Sequence, residues 1–491
     1  MAITELQQMD ATAWLERLDS GAISCRELLD LHIQQIADVN PALNAVVAFD
    51  FDRARARADA ADKARADGIS WGPLHGLPMT IKDALETEGL VTTGGGPEYK
   101  GHIPAKHADA VQRVVDAGAI IIGKTNVPYM SGDLQTYNDV YGVTSNPWDV
   151  SRVPGGSSGG AAASLATGMT TIEIGSDIGG SIRCPAHYCG VCGLKPSLDI
   201  IPGRGHVPGP PGALARNDMS VIGPMARSVR DLQLMLPILA GPSGPDQKGY
   251  RLDLPTPRTK DVREMRLALW TDDSYSPTSS DTQRVLTDLA DELEAAGATV
   301  DRNPTLPNTL EEICSVYTPM LASVVLAAMP PQVLAGLAAV ADNAVEGDNS
   351  FPTLQAKGAN LTYGQRMIYQ DMRLQMRAAW ETFMADYDAI LMPNSPDAAF
   401  VKNHETPFPA RIVPVDGVDR HYHDFIAWTA PSIILTYPAA SIPAGQSSNG
   451  MPINVQIMSA YLEDQTALAV GAAVEQVTGA FKAPDLAKLT N

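Results

Sequence analysis

Short apolar runs alternate with amphipathic stretches along much of the chain. Three such runs, at residues 78–81, 119–122 and 170–174, consist almost entirely of apolar or β-branched residues, and glycine or proline lies near each of them. Continuous rather than alternating apolarity is typical of strands that are covered on both faces of a sheet. These segments therefore predict strands of an α/β sheet.

Helices are predicted between the strands. Ser24 and Glu27 have the spacing of a capping box at the start of a helix, and Pro41 is expected beyond its end. A second helix is predicted from about 281 to 296, where apolar residues recur at four-residue steps and Gly297 follows as a stop.

The 491 residues would allow about three average domains, but no internal repeat or low-complexity linker divides them. We therefore expect one elaborated domain. Residues 202–214 form the one loop that is dense in proline and glycine. Long loops of this kind either shape a binding site or simply connect two elements, and the sequence leaves both interpretations open.

The charge balance and the cysteine content narrow the class of protein. With 36 basic and 56 acidic residues the net charge is −20, which disfavours binding to nucleic-acid phosphates. No run approaches the roughly 18 apolar residues of a membrane span, and the N-terminus lacks the apolar block of a signal peptide. Five cysteines do not form a disulfide framework. We expect a soluble protein of the reducing cytoplasm.

Three motifs suggest chemistry that their context disfavours. Residues 118–125 match the phosphate-loop pattern, but three isoleucines in the middle indicate a buried strand instead. Cys189 and Cys192 have no second pair to complete a zinc site, so buried structural cysteines are expected. His421 and His423 have no partner motif and are expected to be exposed loop histidines. No metal is assigned.

Two clusters of glycine and serine are more informative. Residues 155–160 match G-x-S-x-G in two registers, centred on Ser157 or on Ser158, as in a serine hydrolase. In residues 175–183, successive glycines allow backbone N–H groups to converge as an oxyanion hole requires, with Ser181 at the edge as a candidate nucleophile. Asp177 and Arg183 are close enough in sequence to pair and brace this loop.

A serine nucleophile also needs a base. Lys82 lies at the exit of an apolar strand, where loss of solvation can lower its pKa and leave a neutral amine. Lys124 lies at the end of another such strand. Spacing alone does not choose between the two lysines.

Taken together, these motifs resemble the amidase signature family. Weaker similarity extends to residues 28–44, 387–393 and 450–457, so the resemblance covers most of the chain. The segments that carry it are Gly76–Asp83, Gly123–Pro128, Asn146–Trp148, Gly155–Gly160, Gly175–Arg183 and Cys189–Pro196.

The resemblance implies a fold and a set of residue roles. The fold is a large twisted mixed β-sheet flanked by helices on both faces, in a single domain over 1–491. Its parts are a helical region over about 1–70, a signature core over about 72–227 and a C-terminal elaboration over about 250–491. The implied catalytic residues are Ser181 as nucleophile, Ser157 as the serine of a cis peptide and Lys82 as base.

Further roles follow from the same resemblance. The implied oxyanion hole consists of the N–H groups of Ile178, Gly179, Gly180 and Ser181. Ser158, Asp177 and Arg183 are expected behind these residues, and Ser131 falls where a family member contacts substrate. No cofactor is implied.

The function that we expect is a stand-alone amidase acting on a small to medium, hydrophobic amide, with esters, anilides and carbamates as further substrates. One alternative is the glutaminase subunit of a tRNA-dependent amidotransferase, although the chain departs from that subunit's pattern after Ser197. A catalytically inactive binding protein on the same fold is the alternative from another class. The partner expected is a small molecule, with neither nucleic acid nor membrane, and a homodimer is the oligomer that the resemblance suggests.

Overall fold

The computed structural model describes residues 3–207, 212–215, 217–327, 329–479 and 481–489. In these residues the strands are β1 Val46–Phe49, β2 Pro78–Lys82, β3 Ile120–Thr125, β4 Tyr137–Asn138, β5 Gly142–Val143, β6 Ile172–Asp177, β7 Cys192–Lys195, β8 Val221–Ala226, β9 Arg266–Leu269, β10 Thr299–Asp301, β11 Ala389–Pro393, β12 Ile412–Val415, β13 Val418–His421, β14 Ala439–Gln446 and β15 Pro452–Met458. The helices are α1 Ile3–Gln8, α2 Ala11–Asp19, α3 Cys25–Leu43, α4 Phe51–Ala66, α5 Asp109–Asp116, α6 Gly159–Ala166, α7 Arg183–Cys189, α8 Val229–Leu239, α9 Ser280–Ala295, α10 Leu310–Val325, α11 Pro331–Asp342, α12 Phe351–Ala359, α13 Tyr363–Met384, α14 Ala430–Ile434 and α15 Asp464–Thr478.

The core is a mixed sheet of eight strands in the order β10-β9-β11-β15-β14-β7-β8-β6. Strands β10, β9 and β11 pair in parallel, and the remaining pairs are antiparallel. Every residue of β11 and β15 is buried. Because successive side chains of a strand point to opposite faces, this burial requires cover on both faces of the sheet. The predicted α/β fold with a large mixed sheet is confirmed.

A second sheet of three strands, in the order β1-β3-β2, places β2 beside the edge strand β6 of the large sheet. The contact is held by side chains that precede β6. The Thr171 hydroxyl donates to the Pro78 carbonyl at 2.6 Å, and the Thr80 N–H donates to the Thr170 hydroxyl at 3.0 Å. The ends of β2 and β6, and the residues that follow β6, therefore lie side by side.

The predicted strands and helices are confirmed, with one difference. The strands at 78–81, 119–122 and 170–174 correspond to β2, β3 and β6, and the second predicted helix is α9. The capping box of Ser24 and Glu27 opens α3. The prediction that Pro41 lies beyond this helix is wrong, because α3 continues to Leu43 and ends where Asn44 adopts a left-handed φ of 54°.

Within the described ranges, no helix combines the length and the apolar character that crossing a bilayer requires.

Candidate active site

Lys82, the last residue of β2, brings three serine hydroxyls together. Its Nζ lies 2.7 Å from Ser157 Oγ, 2.9 Å from Ser158 Oγ and 2.9 Å from Ser176 Oγ. The lysine has no exposed surface, and its Nζ also lies 3.5 Å from the Ser176 carbonyl oxygen. Two of the sequence-predicted residues, Lys82 and Ser157, are therefore in direct hydrogen-bond contact.

Burial changes the protonation of this lysine. Loss of solvation lowers the pKa of Lys82 to about 7, although the negative charges of Asp177 and Glu173 act in the opposite direction. Near neutral pH, a substantial fraction of Lys82 is therefore the neutral amine that can accept a proton.

Glycines shape the turn that presents Ser157. The Gly156–Ser157 peptide bond is cis. A Cβ at Gly156 would lie 2.3 Å from the Asp133 carbonyl oxygen, so no side chain fits at this position. The N–H of Ser158 donates to the Ser181 carbonyl at 3.1 Å and so joins the two glycine–serine clusters.

The loop between β6 and α7 offers backbone N–H groups. Within the described part of the chain, the N–H groups of Ile178, Gly179 and Ser181 have no hydrogen-bond acceptor. Gly180 differs from the expectation. Its φ of 91° accompanies an N–H that donates to Asp177 Oδ1 at 2.9 Å. This bond removes Gly180 from the expected set of oxyanion donors and leaves three.

The predicted pairing of Asp177 with Arg183 is present and completely buried. Arg183 donates to both carboxylate oxygens, from Nε at 3.0 Å and from Nη2 at 2.8 Å. Burial acts against ionisation of the carboxyl, but Arg183 and the Ile182 N–H outweigh it and hold the pKa of Asp177 at about 2. Asp177 is therefore a fixed negative charge that braces the loop.

Three side chains approach the two glycines of this loop closely. A Cβ at Gly179 would lie 3.1 Å from the Tyr317 hydroxyl, and one at Gly180 would lie 2.6 Å from both Cys184 Sγ and Thr429 Cγ2. Both glycines are therefore positions where the loop and its wall approach closely.

Ser131 occupies a strained turn. It has a φ of 58°, after a φ of 49° at Met130, and its buried hydroxyl has no partner among the described residues. No hydrogen bond in those ranges joins it to Lys82, Ser157 or Ser181, so its substrate contact stays a prediction.

The rival lysine has a separate environment. Lys124 Nζ donates to the Leu85 carbonyl, to Thr87 Oγ1 at 2.9 Å and to Thr92 Oγ1 at 3.2 Å. It belongs to the buried strand β3, as the isoleucines within the phosphate-loop match predicted.

The cysteines and histidines considered as metal ligands lie in separate environments. Cys189, Cys192 and the other cysteines are buried free thiols, as predicted. His421 is exposed and ends β13, but His423 is half-buried because its ring stacks on Phe351 at 3.8 Å. In the ranges that the structure describes, no group of three or more metal-ligating side chains is present.

Two residues at the site were not singled out from the sequence. Ser176 contacts Lys82, and the His206 ring lies 2.8 Å from Ser176 Oγ. Ser176 belongs to the second glycine–serine cluster and His206 to the proline- and glycine-rich loop. The only signal in the sequence was their membership of these segments.

Comparison with known proteins places the chain among amide-hydrolysing enzymes. The model of the family described as Amidase matches residues 27–468. The A-type subunit of the glutamyl-tRNA(Gln) amidotransferase from Synechococcus sp. (strain CC9605) is 32% identical, and the match covers 97% of each chain.

Two solved structures are similar over almost the whole chain. One comes from work on a vestigial protein complex and the evolutionary origins of an s-triazine catabolic enzyme; it has 26% identity and a TM-score of 0.80, over 97% of this chain and 100% of that one. The other is 6-aminohexanoate cyclic dimer hydrolase with its substrate, with 26% identity and a TM-score of 0.76, over 99% of this chain and 100% of that one.

Proposed function

The chain belongs to the amidase signature family, and from this premise we propose that it hydrolyses an amide C–N bond through an acyl-enzyme on Ser181. The observation that carries the proposal is the 2.7 Å contact between the buried Lys82 Nζ and Ser157 Oγ, beside the loop that holds Ser181. Buried lysines are costly unless paired or neutral, and a neutral lysine beside a serine is a general base.

In the first step, neutral Lys82 takes the proton of the Ser157 hydroxyl while Ser157 takes that of Ser181. The Ser181 oxygen attacks the carbonyl carbon, and the carbonyl oxygen becomes an oxyanion. The free N–H groups of Ile178, Gly179 and Ser181 would stabilise it, and each such donor contributes about 3 kcal/mol in comparable enzymes. Within the described residues no hydrogen bond joins the Ser157 and Ser181 hydroxyls, so this transfer requires them to approach.

In the second step, Ser157 returns its proton to the departing nitrogen and regains one from Lys82. The C–N bond breaks and the amine leaves neutral. Water then attacks the acyl-enzyme by the same relay, which releases the acid and restores Ser181.

Two hypotheses describe the substrate: glutamine for a glutaminase subunit, or an uncharged amide for a stand-alone amidase. The similarity to amidotransferase A-type subunits, at 32% identity over nearly the whole chain, favours the glutaminase alternative over the stand-alone amidase expected from the sequence.

A labelling experiment tests the proposal. We expect a fluorophosphonate probe to modify Ser181, as mapped by peptide mass spectrometry, and to leave Ser181→Ala unmodified. An adduct on Ser157 or Ser158 would overturn the proposed roles. No adduct on folded protein would favour an inactive binding protein or a site that needs an activating partner.

A substrate panel then separates the two hypotheses. Hydrolysis of uncharged amides, anilides, esters or carbamates by the chain alone supports a stand-alone amidase. Ammonia release from glutamine that depends on added amidotransferase partner proteins supports the glutaminase role.

The pH dependence follows from the protonation of the base. Because Lys82 must be neutral to accept a proton and its pKa is about 7, kcat/KM for an uncharged amide is expected to rise with pH through about 7 and then level off. This rise is the acid limb of the pH profile, and measurement of kcat/KM between about pH 5 and pH 9 checks it. A rate that is constant or falls over this range contradicts the role of Lys82.

Glu173 provides the control, because burial raises the pKa of this carboxyl to about 7 as well. In Glu173→Gln the limb should persist, and it should move to lower pH because a charge that raises the pKa of Lys82 is gone. Loss of the limb in this variant would assign it to Glu173.

A further inference from the structure

The loop after β7 reaches back to the strand that carries the base. The Val207 N–H donates to the Ala84 carbonyl at 2.7 Å, and the Glu86 N–H donates to the Gly205 carbonyl at 2.8 Å. These bonds, with a bridge between Leu85 and His206, attach residues 205–207 to the segment that directly follows Lys82. The His206 ring is thus held by backbone contacts next to the base.

His206 reaches the base through one hydroxyl. Its Nε2 lies 2.8 Å from Ser176 Oγ, and that oxygen lies 2.9 Å from Lys82 Nζ. Burial, and after it the charge on Lys82, lower the pKa of His206 to about 3. The imidazole is therefore neutral at working pH, and in the tautomer with its hydrogen on Nδ1 the Nε2 atom can accept a hydrogen bond.

The Lys82 amine has fewer hydrogens than it has neighbouring oxygens. A neutral lysine amine has two N–H hydrogens and one lone pair. Three hydroxyl oxygens and, at 3.5 Å, the Ser176 carbonyl oxygen lie within hydrogen-bond distance of Lys82 Nζ. These are more acceptors than the amine has hydrogens, so its lone pair is left to accept from one of the hydroxyls. For proton transfer from Ser157 the donor must be Ser157, and Ser158 and Ser176 must both accept.

A hydroxyl has one hydrogen, and its direction decides which role it plays. If Ser176 donates to His206 Nε2, its lone pairs face Lys82 and it can only accept from the amine. Without the imidazole, Ser176 could turn its hydrogen to the lysine lone pair and compete with Ser157. Ser158 is then the one remaining competitor among the three hydroxyls.

We propose that His206 is a positioning residue for the base: by accepting the Ser176 hydrogen, it keeps the lone pair of Lys82 directed to Ser157. The inference deepens the proposed function and rests on it. In this role His206 acts through Ser176, whose Oγ its Nε2 contacts at 2.8 Å, and not directly on Ser157 or Ser181.

The test is a set of variants measured with the whole chain on the best amide of the panel. In His206→Ala we expect kcat to fall about ten- to a hundredfold. The acid limb of the pH profile should move to lower pH, because without the imidazole the Ser176 hydrogen can be accepted by Lys82 only when the amine is neutral. His206→Gln, whose Oε1 can accept in place of Nε2, should restore both the rate and the limb.

A double-mutant cycle isolates the path through Ser176. If His206 acts only by orienting this hydroxyl, its removal has no effect once the hydroxyl is absent. Ser176→Ala and the Ser176→Ala/His206→Ala double variant should therefore have the same kcat and the same limb. Additive losses in the double variant would overturn the inference.

A control variant in the same loop separates the positioning role of His206 from a general loss of loop structure. Arg204 donates from Nε to Asp109 at 2.7 Å and anchors the same loop without touching the base. Arg204→Gln should leave the limb where it is in the wild type. A fall in kcat in His206→Ala with an unmoved limb and no rescue by Gln would assign His206 a structural role and overturn the inference.

The labelling experiment keeps the two proposals distinguishable. If wild-type Ser181 takes the fluorophosphonate and the His206 variants behave as wild type, only the positioning role fails. If Ser181 is unmodified in folded wild-type protein, both alone and with added amidotransferase partner proteins, the proposed function itself fails.

Discussion

Replacing Lys82 with alanine is expected to lower kcat for amide hydrolysis by about 10⁴-fold, because the base that accepts the Ser157 proton is gone. A water that fills the space left by the side chain is a much weaker base than a neutral amine. Lys82→Met, which retains most of the length and apolar volume, should be equally inactive. Steady-state hydrolysis by protein of verified fold gives the rate.

Lys124 supplies the matched control for this experiment. It is equally buried, and loss of solvation lowers its pKa to about 8, but its partners are Leu85, Thr87 and Thr92 instead of the serines. Lys124→Met is expected to lower the melting temperature and to leave kcat per folded molecule within about threefold of wild type. Near-wild-type activity in Lys82→Ala, or equal losses in both methionine variants, would rule out Lys82 as the base.

Strand register explains why spacing could not choose between these lysines. In the parallel pairing of β2 with β3, Lys82 is opposite Thr125, and Ile81 is opposite Lys124. Residues opposite each other share a face and neighbours along a strand alternate, so the two lysines point to opposite faces. A sequence shows an apolar run followed by a lysine in both strands, but it does not contain the one-residue offset between them.

The elements predicted from the sequence were those set by local signals. The capping box of Ser24 and Glu27 and the apolar run of β6 depend on residues within a few positions of one another. The contacts that complete the site are long-range. The bond from Gly180 to Asp177 depends on how the loop turns, and the place of His206 depends on pairing with Leu85. Neither leaves a local pattern of residue types.

Replacing Arg183 with methionine is expected to lower the free energy of unfolding by about 3–5 kcal/mol, because it leaves a buried carboxylate without its counter-ion. Asp177 and Arg183 are both fully buried and joined by two hydrogen bonds. The guanidinium also donates to the Thr429 carbonyl at 3.0 Å and to Ser432 Oγ at 2.8 Å. Denaturant unfolding measures the loss. Activity should fall as well, since Asp177 also holds the Gly180 N–H in the candidate oxyanion loop.

The partly exposed arginine Arg302 is the control for this prediction. It contacts Asp291 at 2.5 Å and Glu294 at 2.6 Å, but a third of its side chain is in solvent. Exposed pairs contribute about 1 kcal/mol or less, so Arg302→Met should be nearly neutral. Equal losses of unfolding free energy in Arg302→Met and Arg183→Met would contradict the prediction that an unpaired buried carboxylate is especially destabilising.

The pH dependence of stability in wild type and Arg183→Met tests whether the unpaired carboxylate causes the loss. In the wild type the pKa of Asp177 is lowered to about 2 from 3.8, so the pair stabilises the fold above pH 3.8, and this contribution is lost as the pH falls towards 2. Without Arg183, burial raises the pKa of the carboxyl instead, and the penalty for its charge disappears once it is protonated. The stability difference between wild type and Arg183→Met should therefore shrink as the pH falls from neutral to acidic values. A difference that is constant with pH would show that lost packing, and not the unpaired charge, accounts for the instability.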